Sequence, residues 1–87
     1  SSAASDVYKR QLLQRLPEEV KKVHYHDDET HIRQLLEKYD LVPKCGTSLA
    51  VATVFGLILT VSHKEQIGEL YPQVLETLVN GTCRELF

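Results

Sequence analysis

Residues 49–61, LAVATVFGLILTV, carry no charged side chain and read as apolar on every side. A helix with that pattern has no face suited to water, so it is expected to be enclosed by its neighbours. The run is shorter than the roughly 20 apolar residues that a bilayer crossing requires, which makes it a core helix rather than a membrane span. The more polar segments on either side then become its packing partners.

Those segments carry the periodicity such a role needs. Ile32, Leu35, Leu36 and Tyr39 recur at i, i+3, i+4 and i+7, one continuous face of a helix over 28–39. Asp27 or Asp28 is placed to cap it, accepting from the free N–H groups of the first turn. Arg33, Gln34, Glu37 and Lys38 belong to its wet side, and Pro43 and Gly46 are breakers in the link that follows. The central helix is predicted over 48–63 with Thr47 or Ser48 as cap. Ala50, Ala52 and Gly56 would let neighbouring helices approach closely. Gly56 costs about 1 kcal/mol relative to alanine in a helix interior, and packing is the expected reason for it.

After a break near His63, Lys64 and Glu65, the residues Ile67, Leu70, Tyr71, Val74, Leu75 and Leu78 form an apolar stripe over 65–80. Pro72 starts the main part of that helix, and Asn80-Gly81 reads as its stop. Leu86 and Phe87 are then left needing a partner from outside the chain.

At the other end, residues 6–16 can form a helix with Val7, Leu12, Leu13 and Leu16 on its apolar side. Pro17 is expected to stop or restart it, because its ring clashes with the preceding turn. A short helix over 17–24 would follow, with Val20 and Val23 facing inward. The chain has no Met, so it is read as a piece of a longer protein. Residues 1–11, SSAASDVYKRQ, resemble translated adaptor sequence and are expected to be non-native or disordered, outside functional reasoning.

Composition narrows the function classes. Eighty-seven residues allow one domain. A net charge of −2 with scattered Lys and Arg lacks the footprint of a nucleic-acid binder, and six dispersed aromatic residues make no stacking platform. Cys45 and Cys83 are too few for a disulfide framework and read as free thiols in a reducing, cytoplasmic compartment, with a single bridge between them as the alternative. No secretory signal opens the chain.

The most tempting chemistry is HYHDDETH, with His24, His26, Asp27, Asp28, Glu29 and His31. Imidazole and carboxylate are transition-metal ligands, but no HExxH or CxxC spacing is present. A solvated capping loop is the expected role, with a small regulatory or metal-binding module built on His24, His26, Asp28 and His31 as the alternative. Cys45 and His63 offer the residue types of a nucleophile and a base, yet they flank the central helix at opposite ends. There is no phosphate loop and no GxSxG. Asn80-Gly81-Thr82 fits a glycosylation sequon but is expected to be a helix stop. No catalytic, cofactor-binding or metal-ligating residue is assigned.

The segment 48–79, with Leu49-Ala50, Leu70-Tyr71-Pro72-Gln73, Val74, Leu75 and Leu78, resembles the helix–turn–helix of maestro heat-like repeat proteins, large eukaryotic HEAT-repeat chains. Glu76-Thr77 departs from that family, which tends to continue with leucines. The resemblance implies a scaffold segment and brings no catalytic residues. The expected fold is therefore all-α: antiparallel helical hairpins of a HEAT- or armadillo-like solenoid, with a closed four-helix bundle as the alternative. The expected function is a non-catalytic protein–protein interaction segment of a larger intracellular chain, partnered by other proteins or by adjacent repeats.

Overall fold

A computed structural model describes residues 3–21 and 28–87, with side chains for 6–20 and 29–87. Among the described residues all regular structure is helical: α1 (Ala3–Lys21), α2 (Asp28–Lys38), α3 (Thr47–Ser62), α4 (Lys64–Ile67), a 3-10 turn (Gly68–Leu70) and α5 (Tyr71–Leu86). The thinnest dimension is 19 Å, the depth of two helical layers. α3 sits at the centre and packs on α1, α2 and α5; α1 and α5 also meet each other.

One apolar cluster joins the four long helices. α1 supplies Leu12, Leu13, Leu16 and Val20; α2 supplies Ile32, Leu35 and Leu36; α5 supplies Leu75, Val79 and Leu86. α3 adds Ala50, Val51, Val54, Leu57, Ile58 and Val61 at spacings of three and four, a single face. The helix that reads as apolar all round is therefore buried on one side only. With α1, α2 and α5 all packed on that inner side, Leu49 (55% exposed), Leu59 (46%) and Phe55 (38%) face outward.

Pro17 lies inside α1, where the helix was expected to break. It removes one N–H from the ladder, leaving the Leu13 carbonyl without its usual donor four residues on. The ring itself is fully buried with Leu13 and Leu16, and that apolar burial offsets the missing bond. The first half of α1 falls within the segment 1–11 that was set aside from functional reasoning. Residues 3–11 are helical, and Lys9 Nζ donates to the Phe87 main-chain oxygen at 3.0 Å. Val7 nevertheless remains exposed, and Val23 lies outside the described residues.

α2 ends by its own chemistry, before Pro43 and Gly46 are reached. Asp40 takes a left-handed φ of 57°, its N–H bonds the Glu37 carbonyl at 3.1 Å, and the Leu41 N–H reaches back to Leu36 at 2.9 Å. This is a Schellman close with an aspartate where glycine is usual, and Leu41 drops into the core beside Leu36. The expected N-cap of α2 falls on Asp27 and the Asp28 side chain, outside the described residues. In the link beyond, the Lys44 N–H bonds the Leu86 carbonyl at 2.7 Å and its Nζ the Arg84 carbonyl at 3.1 Å. A cation thus closes the negative end of α5.

Neither hydroxyl caps α3. Gly46 is its N-cap, without a side-chain hydrogen bond, and Thr47 and Ser48 are the first helical residues. Gly56 is exposed, and a Cβ built there would meet nothing within 4 Å among the described residues, so none of them needs its small size. Gly56→Ala is accordingly expected to stabilise the fold by about 1 kcal/mol, read as a higher thermal midpoint in circular dichroism. A lower midpoint would mean that the backbone there is packed more tightly than the structure shows.

The chain bends by 71° between Thr47–Ser62 and Lys64–Leu86. The two segments therefore meet at an angle and do not continue as one straight helix. α5 runs through Asn80-Gly81 to Leu86, past the expected stop. Leu86 and Phe87 are both buried in the common core, so their partner comes from within the chain, in part from α1. The buried seam of α5 is Leu75, Val79, Thr82 and Leu86, with Tyr71 packed beside it. Leu70 (59% exposed) and Leu78 (41%), expected inside, lie outside.

Candidate functional site

The His/Asp cluster offers little to build on. His24, His26 and Asp27, with the side chain of Asp28, lie outside the described residues. Glu29 is exposed and paired with Arg33 at 2.9 Å, an i,i+4 pair on α2, while His31 is half-buried on the same helix. Among the described residues no group of three His, Cys, Asp or Glu side chains is placed to hold a metal.

Cys45 and His63 lie beyond opposite ends of α3, whose 16 residues span about 24 Å, so they form no nucleophile–base pair. Both cysteines are free thiols, Cys45 exposed and Cys83 half-buried. Burial pushes the Cys83 thiol above its ordinary value, against the opposing pull of Lys9, Arg10 and Lys44. It is the thiol form that dominates at neutral pH, which suits packing better than nucleophilic attack. Iodoacetamide is therefore expected to modify Cys45 well ahead of Cys83 in the folded protein, as read by mass spectrometry of peptides. Equal rates would mean that α5 opens readily. Folding binds the Cys83 proton more tightly, so the associated stability is complete below the unfolded thiol pKa. It is lost as pH rises through the folded value.

Asn80 is half-buried in mid-helix, and Thr82 is buried with its hydroxyl donating to the Leu78 carbonyl at 2.8 Å. A sequon held in that geometry presents neither an exposed loop nor a free hydroxyl. An open groove of about 800 Å³ between α1 and α5 gathers Lys9, Arg10, Lys44 and Arg84 around Asp6 and Cys83. Two of these cations, Lys9 and Lys44, are engaged with main-chain oxygens at the end of α5.

The outward side of α3 is the most distinctive surface. Leu49, Ala52, Phe55 and Leu59 project from it at spacings of three and four, and no charged residue occurs between Thr47 and Ser62. Its threonines add little polarity: Thr53 Oγ1 donates to the Leu49 carbonyl at 2.8 Å and Thr60 Oγ1 to Gly56 at 3.0 Å, each bonding back into its own helix. Beside it, Ile32 of α2 and Val51, Ala52 and Phe55 of α3 line a shallow groove of about 410 Å³. A second apolar strip, Leu70 of the 3-10 turn with Val74 and Leu78 of α5, lines a groove of about 250 Å³.

Sequence periodicity overlooked these faces because a helix rich in apolar residues all round offers several equivalent stripes. A weak signal exists in residue size. The buried stripe of α3 is Ala50, Val51, Val54, Leu57, Ile58 and Val61, while Ser48, Ala52, Thr53, Gly56, Thr60 and Ser62, small or hydroxylated, collect toward the other side.

Fold and surface together define a class: an all-α domain with uncovered apolar strips on α3 and α5. Among the described residues no single helix is long and apolar enough to cross a membrane. No family model, no curated protein and no solved structure matches the chain.

Proposed function

We propose that this chain is a non-catalytic protein–protein interaction segment of a larger intracellular helical-repeat protein of HEAT or armadillo type. In that setting the outer face of α3 is covered by a neighbouring pair of helices. The observation that carries the reading is that face itself, four turns of helix without a charge, with Leu49, Phe55 and Leu59 held in water. Contiguous exposed apolar surface of this kind is a hallmark of interaction sites. Helical repeats need such faces, because each pair buries its apolar side only by stacking on the next. The strip on α5 would serve the same purpose toward another neighbour.

The test is a pair of charges placed where the face is already wet. Wild-type protein is expected to bind a hydrophobic dye while folded, and its sedimentation mass is expected to rise with concentration. The double variant Phe55→Glu, Leu59→Glu should keep its helical circular dichroism and lose both properties. A wild-type chain that stays monomeric and dye-free would remove the basis of the reading. Zinc added to the wild type is expected to leave the thermal midpoint unchanged. A rise of several degrees would favour the small metal-binding module instead.

A further inference from the structure

We draw no further inference here: the strongest candidate, the basic groove between the first half of α1 and the end of α5, carries nothing beyond the fold already described, because Lys9 and Lys44 there serve main-chain oxygens at the end of α5 and Arg10 belongs to the segment that resembles translated adaptor sequence.

Discussion

Leu13→Ala is expected to cost about 2–5 kcal/mol of stability, enough to leave a chain of this size largely unfolded near room temperature. Leu13 is completely buried in α1, which packs on both α3 and α5, and it shares the core with Leu16, Val54 and Val79. Truncation would remove the transfer energy of the lost carbons and leave a void. The helices around that void are anchored elsewhere and can only partly collapse into it. The matched control is Leu59→Ala, the same chemical change on the exposed face of α3, which should alter stability by no more than about 0.5 kcal/mol. Urea titration of both variants, followed by circular dichroism at constant slope, reads the contrast directly. Similar losses from the two would mean that α3 turns its other side to the core. A negligible loss from Leu13→Ala would mean that α1 does not pack as described.

The second large effect belongs to a link. Gly68→Ala is expected to destabilise the fold by about 1–3 kcal/mol, because a side chain must adopt a backbone conformation reserved almost entirely for glycine. Gly68 has φ 88° and ψ −149° where α4 passes into the 3-10 turn that starts α5. A Cβ there would meet nothing within 4 Å, so the cost is conformational and not steric crowding by neighbours. The change also stiffens the unfolded chain, which works in the opposite direction and keeps the net effect near the lower end. Set beside Gly56→Ala, the comparison separates the two uses of glycine: one variant should lower the thermal midpoint and the other raise it. If Gly68→Ala were neutral, the link would be relaxing into another path, and the 71° bend would not depend on that residue.

Helices α2 and α3 were readable because their signals are local. Ile32, Leu35 and Leu36 repeat at helical spacing and are buried together, and the central run lies between a Pro/Gly-containing link and a polar break. The helix read at 28–39 is Asp28–Lys38, and the one read at 48–63 is Thr47–Ser62. The errors fell where a local signal competes with burial. Asn80-Gly81 reads as a stop, but a mid-helix glycine costs only about 1 kcal/mol. Carrying α5 onward places Leu86 and Phe87 in the core, and fully burying a single large apolar side chain is worth about 1.5–3 kcal/mol. Pro17 follows the same logic: its cost of about 3 kcal/mol or more is set against burial of the ring and of the α1 seam on both sides. The surface strip of α3 was hidden for another reason, because its residues are as hydrophobic as those of the core.

The sequence by itself determined that this is a helical protein, where its two middle helices run, and which side of α2 turns inward. Hydrophobic spacing and chain breakers act over a few residues and need no knowledge of the rest. Only the tertiary structure decided which side of α3 is covered, which strip of α5 is left in water, and that α1 and α5 continue through their apparent breaks. A helix apolar on all sides has no preference of its own. Its inner face is whichever side α1, α2 and α5 together can cover, and the remaining face stays exposed.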